Sequence, residues 1–280
     1  MSERATLLLV ATPIGNLGDI TQRAVEALRG ADVVACEDTR HTGRLLKHLG
    51  ASPRRLVVAN DHTEAEAAQS IVDELGRGAR VVLVSDAGTP GISDPGERVV
   101  TAVIAAGHTV SMLPGPSAAL AALVVSGLPT DRFVMEGFLP RSGVARTEAL
   151  AAISTQPRTT VIYESPKRLP ATLSDLRAVC GPERRAAVVR EMTKLHEEVA
   201  RGSLATLAER FSEAPRGEVV VVIGGAPVSE VGDEDVRDAL HEHLSGGATV
   251  RDAVDAVVAQ LGAPRNRVYE LAISVRDSGR

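Results

Sequence analysis

Through the first 136 residues, short β-branched runs alternate with amphipathic stretches, and few folds accept that alternation. Strand-like runs at 7–11, 33–36, 56–59, 81–84, 109–112 and 133–136 are separated by helical periodicity at 19–29, 42–49, 64–75, 96–106 and 117–125. Strands this short and apolar, each followed by a helix, predict a parallel sheet covered on both faces. A break follows at Gly137-Phe138-Leu139-Pro140-Arg141, and the pattern then restarts. Helix 144–153, strand 159–163, helix 169–179, strand 186–191, helix 204–211 and strand 219–223 predict a second, shorter α/β unit.

Gly224-Gly225-Ala226-Pro227 and the acids Glu230, Asp233, Glu234 and Asp235 read as a linker. Three helical patterns close the chain at 234–244, 250–261 and 265–275. Thr249 and Asp252 form a capping box with Asp in the usual Glu place, and Gly262-Ala263-Pro264 stops one helix and starts the next. The tight glycine turn suits a helix-turn-helix, and a plain helical cap equally. The expected organisation is therefore two α/β domains, 1–137 and 138–226, with a helical extension over 227–280.

Composition narrows the function classes. With 44% hydrophobic and 24% charged residues among 280, disorder and collagen-like structure are excluded. No run approaches the ~20 apolar residues of a membrane span. The first six residues carry both charge signs, and the apolar run 7–11 is too short for a signal-peptide core, so the chain reads as cytoplasmic with no membrane partner. Cys36 and Cys180 lie far apart without a CxxC, there is no HExxH, and His241 and His243 have no completing ligands. Neither a disulfide framework nor a metal site is expected. Five aromatic residues are too few for a single-strand stacking platform. A net charge of −5 argues against DNA, or any nucleic acid held by bulk charge, and leaves room only for a local basic patch.

The unusual residues of the first unit gather after its strands. They are Thr12 to Asp19, Glu37 to His41, Asn60-Asp61-His62, Ser85 to Gly96 and Pro114 to Ala118. In a parallel sheet these loops meet at the carboxyl edge, where open α/β sheets bind ligands. Three glycines and two prolines shape the loop 85–96. Its Asp86 and Asp94 are placed to accept hydrogen bonds from ribose hydroxyls or a cationic ligand, and Asp94 is also placed to cap the next helix. Neither GxxxxGK[ST] nor GxGxxG is present, so a nucleoside-type ligand other than a triphosphate or NAD is favoured.

Thr12-Pro13-Ile14-Gly15-Asn16-Leu17, Glu37-Asp38-Thr39-Arg40, Ser85-Asp86-Ala87-Gly88-Thr89-Pro90, Gly115-Pro116-Ser117-Ala118 and Gly137-Phe138-Leu139-Pro140 carry a resemblance. Tyr163-Glu164-Ser165-Pro166 and Arg190-Glu191-Met192-Thr193-Lys194 extend it. Together they resemble one group within the tetrapyrrole-methylase-like superfamily, which methylates the 2′-hydroxyl of a cytidine in bacterial 16S ribosomal RNA. The resemblance runs from about residue 7 to 223, and the final helices are similar to that group's helix-turn-helix-like extension. It implies S-adenosylmethionine as methyl donor, held in the cleft between two α/β domains. The donor-binding residues it implies are Pro13, Gly15 and Asn16, then Asp86, Ala87, Gly88, Thr89 and Ile92, then Pro116, Ser117 and Ala118, with Glu164 from the second domain.

Methyl transfer to a hydroxyl calls for alignment, a base and a nearby cation. Glu37, Asp38, Glu191 and Lys194 are the catalytic candidates, against the plainer readings of an Asp38–Arg40 pair and a Glu191–Lys194 packing pair. RNA contact falls to Arg40, His41 and Arg44 on one side and to Lys167, Arg168 and Arg190 on the other. Residues 227–280 hold six Arg against ten acids, so a basic face there is limited to residues such as Arg265, Arg267 and Arg276. Docking or a homodimer fits that charge equally. The implied partner is 16S rRNA in the small ribosomal subunit. Two rivals stand beside it: C-methylation of a tetrapyrrole, against which the 37–40 motif and the extension argue, and a binding protein without catalysis.

Overall fold

The computed structural model describes residues 5–60, 62–227 and 232–278. Asp61 and the linker residue Glu230 lie outside the described residues.

Five strands form the first sheet: β1 (Thr6–Val10), β2 (Val33–Cys36), β3 (Arg55–Val58), β4 (Val81–Leu83) and β5 (Thr109–Leu113). Their order is β3-β2-β4-β1-β5, all parallel. Alternate side chains of one strand point to opposite faces. Accordingly Leu7, Val33, Val57 and Leu83 pack under α3 (Glu64–Gly76) and α4 (Glu97–Ala105). Val10, Val34, Cys36 and Val82 pack under α1 (Gln22–Gly30) and α2 (Thr39–Leu49). Coverage on both faces explains why β2 is buried at every position.

Helix starts follow their caps. The helix expected from residue 19 is a single 3₁₀ turn at Leu17–Asp19, and α1 begins only after Thr21, whose hydroxyl accepts from Ala24 N–H at 3.2 Å. The second helix begins three residues before the expected 42, because the Asp38 carboxylate accepts from Arg40 N–H at 2.7 Å. The α4 N-terminus takes an acceptor from Glu64 on α3, bonded to Gly96 N–H at 2.8 Å and Arg98 N–H at 3.0 Å.

The second sheet contains β6 (Phe133–Phe138), β7 (Thr159–Glu164), β8 (Arg185–Arg190), β9 (Glu198–Ser203) and β10 (Val219–Ile223), ordered β6-β7-β10-β8-β9. Only β6 and β7 pair in parallel, and the other neighbours are antiparallel. Two expectations change here. The strand near 133 was expected to close the first unit, but it pairs with β7. β9, with the charged and glycine-bearing sequence EVARGS, was not expected at all. The helix before β6, α5 (Ala118–Ser126), also buries Ala119, Ala122 and Leu123 against Val161, Val189 and Val222 of the second sheet. The chain thus leaves the first sheet after β5, well before residue 137. On the opposite face lie α6 (Gly143–Thr155), α7 (Leu169–Cys180) and α8 (Leu204–Arg210), with Leu173, Leu176 and Leu204 buried against Ile162, Val188 and Val221.

The chain up to Ala226 forms one compact unit, and a second begins at Pro227. The second consists of α9 (Asp233–Ser245), α10 (Val250–Leu261) and α11 (Arg265–Ser278) around Val236, Leu240, Val254, Val257 and Val268. Thr249 caps α10, and Gly262 ends it at φ +66°, as their residue types predict. Arg265 and Arg267 pair with Asp255 and Asp233 inside this unit. Among the described residues, no helix is long and apolar enough to cross a membrane.

Candidate active site

Four loops of the first sheet are joined at its carboxyl edge. Thr12 and Gly88 exchange backbone hydrogen bonds of 2.8 and 3.1 Å, linking the loops after β1 and β4. Gly88 has φ +80°, and a Cβ there would stand 3.3 Å from Ile14 Cγ2, so the close approach requires glycine. Thr89 Oγ1 donates to Pro116 O at 3.3 Å, which adds the loop after β5. Asp86 Oδ1 accepts from Asp38 N–H at 3.2 Å, which adds the loop after β2. Asn16 and Ser117 serve as caps, accepting from Gly18 N–H and Leu120 N–H.

The second sheet faces these loops across a cavity of about 410 Å³, a size at which small-molecule sites occur. Of the residues expected to hold a donor, Ala87, Gly88, Thr89, Ile92, Ala118 and Glu164 line it. Pro13 and Asp86 instead line a smaller neighbouring cavity of about 220 Å³. Gly15, Asn16, Pro116 and Ser117 line neither and shape the loops. Sequence reasoning missed Phe138, Tyr163, Met192 and Glu218 on the far wall. The first three stand inside the quoted motifs, whereas Glu218 had no signal. Burial raises the Tyr163 pKa, outweighing a backbone hydrogen bond from Ala119. Phe138 and Tyr163 stack at a tilt, their centroids 5.5 Å apart.

Backbone strain concentrates here. Among the described residues, the non-glycine positions with left-handed backbone are Ser93, Glu191 and Thr193. Ser93 lines the large cavity, and the other two flank Met192, which also lines it. Such conformations cost ~1–3 kcal/mol each and cluster at functional sites.

Glu164 is buried, with both carboxylate oxygens engaged. Oε1 accepts from Ser165 N–H at 2.7 Å and faces Arg168 Nε at 3.2 Å, while Thr172 Oγ1 donates to Oε2 at 2.6 Å. Lys194 Nζ bridges Glu191 at 2.8 Å and Glu218 at 3.0 Å. Its stem crosses the cleft to Gly15, where a Cβ would fall 2.5 Å from Lys194 Cγ. Partial burial pulls the Lys194 pKa down, but the two carboxylates outweigh it and the net shift is upward. The same bond, with the Glu218 amide, holds Glu191 below the carboxylate range. Asp38 is held lower still by Arg40. Both expected packing pairs therefore exist, and they fix charges: Asp38 and Glu191 are weak bases and Lys194 a persistent cation. Glu37 follows β2, partly buried.

Of the expected RNA contacts, Arg40, His41 and Arg44 lie exposed along α2, and Lys167 is exposed after β7. Arg168 instead donates to Leu139 O at 2.7 Å, and Arg190 is held by Glu198 and Arg216 O. The fold commits both guanidinium groups to their own sheet.

A parallel sheet and a mixed sheet around a loop-walled cleft define a class. The family of tetrapyrrole (corrin/porphyrin) methylases matches residues 6–208. Two solved structures share the fold. Cobalt precorrin-4 methyltransferase, a cobalamin biosynthetic enzyme, aligns at TM-score 0.58 and 19% identity over 78% of this chain and 94% of its own. Uroporphyrin-III C-methyltransferase from Thermus thermophilus, complexed with S-adenyl homocysteine, aligns at 0.55 and 22% over 79% and 97%. Sequence relatives are nearer. "Ribosomal RNA small subunit methyltransferase I" of Synechocystis is 43% identical over 98% of this chain and 99% of its own. The protein of the same name from Mycobacterium tuberculosis is 45% identical over 96% and 95%. The chain therefore belongs to the tetrapyrrole methylase family and, within it, to the group bearing that ribosomal RNA methyltransferase name.

Proposed function

We propose that the chain is a cytoplasmic S-adenosylmethionine-dependent methyltransferase that methylates the 2′-hydroxyl of a cytidine in 16S rRNA of the small ribosomal subunit. The observation that carries this reading is nearly full-length similarity to proteins named for small-subunit rRNA methylation. The large cavity fits the donor. It has about 410 Å³, apolar walls from Ile14, Ile92 and Val220, and polar groups at Thr89, Asp94 and Tyr163. Ala87, Gly88, Thr89, Ile92 and Ala118 would hold the donor from one wall and the Glu164 segment from the other. When bound there, it supplies a sulfonium methyl group open to in-line displacement by an oxygen.

The chain's own part is alignment and charge. The joined loops after β1, β4 and β5 fix one wall rigidly. Lys194 offers a positive charge beside Glu218, suited to steady the oxygen as it takes the methyl group and gives its proton to water. Arg40, His41, Arg44 and Lys167 are the exposed side chains that would meet RNA.

The experiment supplies labelled S-adenosylmethionine and compares unmodified small subunits, protein-free 16S rRNA, a short oligonucleotide with the same cytidine, and a tetrapyrrole precursor. Label on one cytidine ribose of the rRNA is expected, with the subunit the best substrate. An acidic chain with five aromatics has little with which to grip a short strand. Label on the tetrapyrrole alone overturns the reading, and equal kcat/KM for oligonucleotide and subunit overturns the substrate preference.

A further inference from the structure

The smaller cavity has no part in holding the donor. Thr12 and Pro13 form one side, Asp86 another, and Leu45, His41 and Arg44 of α2 the third. The next residues along the same two loops, Ile14 and Ala87, line the large cavity. One pair of loops thus walls both spaces. At about 220 Å³ the smaller one is below the ~300 Å³ of ordinary cofactor pockets, a size suited to a single sugar or base.

Its rim is cationic. α2 contains no acidic residue, and its exposed side chains include Arg40, His41, Arg44, Lys47 and His48. Arg40 is paired with Asp38, whereas the Arg44 guanidinium meets the His41 ring at 3.5 Å. One guanidinium and an imidazole at the mouth, an apolar wall of Pro13 and Leu45, and one carboxylate acceptor inside match the parts of a nucleotide: phosphate, ring and hydroxyl or amino group.

Resting on the rRNA methyltransferase reading, we propose that this cavity is the subsite for a nucleotide flanking the target cytidine, with its phosphate at Arg44 and His41. The RNA strand then runs along α2 and presents the next ribose to the large cavity around the shared loops. Binding here uses none of the residues that line the donor space.

The test uses the full chain with Arg44→Ala and Arg44→Lys. Arg44→Ala is expected to raise KM for unmodified small subunits roughly tenfold while donor affinity by calorimetry stays within twofold. It should also reduce the slope of log affinity against log salt by about one, as expected for one lost phosphate contact. Arg44→Lys should restore the slope but only part of the KM, since a point charge replaces a two-pronged donor. A photo-cross-linking residue at position 41 should label a nucleotide within two of the modified cytidine. An unchanged KM with Arg44→Ala, or a fall in donor affinity as large as the fall in kcat/KM, overturns the subsite. A cross-link confined to distant rRNA does so as well. Wild-type protein that fails to methylate subunits overturns instead the reading beneath it.

Discussion

At the residue scale, Lys194 ties distant parts of the site together, since its stem lies against Gly15 and its ammonium joins Glu191 to Glu218. Lys194→Met is expected to lower kcat by roughly 10²-fold, the usual effect of losing one stabilising group, with donor affinity changed less than threefold. Isothermal titration and single-turnover assays separate the two. The pH dependence has a definite sign. Glu191 is depressed in the folded state, so the stability it contributes through Lys194 is complete above the ordinary carboxylate range and is lost as pH falls through the depressed value. Urea midpoints of wild type and Lys194→Met should therefore converge in acid and stay apart at neutral pH. Glu164 has a different role. Glu164→Ala would leave the Thr172 hydroxyl and the Arg168 Nε without the carboxylate they meet inside the second sheet's core, at a cost of about 3 kcal/mol. Urea unfolding of Glu164→Ala and Glu164→Gln measures it, and the amide should recover part of the loss.

At the element scale, the site depends on how helices begin. Asp38 starts α2 and so directs its basic side toward the small cavity. Glu64 reaches from α3 to start α4, which pins the end of the 85–96 loop. Glu64→Ala should cost about 1–2 kcal/mol, the range for a lost cap. Amide exchange in residues 85–96 should quicken more than in β1, because the anchored end of that loop is released. Equal exchange in both segments would show that the loop is held by the Thr12–Gly88 bridge alone. β6 is another such element. Its bulge lies between Met135 and Gly137, and Gly137, at φ +66°, lets the strand approach Ser93, since a Cβ on it would stand 3.1 Å from the Ser93 hydroxyl. Of the break expected at 137–141, the first two residues complete β6 and the rest form the connection to α6.

At the scale of the whole molecule, the large cavity and the extension belong to different compact units. Every residue lining the large cavity precedes Pro227, and the extension has its own core. Removing everything after Ala226 should leave donor affinity within twofold, while methylation of small subunits falls at least fivefold, by analogy with the loss of a linked second contact. Calorimetry and methyl incorporation check both halves, and wild-type incorporation would show that the extension takes no part in substrate engagement.

Much of this architecture is written in local pattern. Alternating apolar runs determined the parallel sheet, and the clustering of glycine, proline and acids after strands determined that its carboxyl edge carries the site. Residue identity alone also determined the Thr249 cap, the Gly262 stop and the Asp38–Arg40 and Glu191–Lys194 pairs, since each joins residues a turn or less apart. The tertiary structure decided what local pattern cannot encode. β6 has the same composition whichever sheet it joins, and only pairing with β7 assigns it. β9 is too polar to stand out until β8 lies beside it. Asp86 follows β4 in any reading, yet the bond to Asp38 N–H goes with its place on the smaller cavity rather than the larger. Glu218 and Glu64 gained their roles through partners on other elements. Periodicity and turn chemistry act over a few residues, whereas a cavity wall is the meeting of segments remote in the chain, and its composition exists only once they pack.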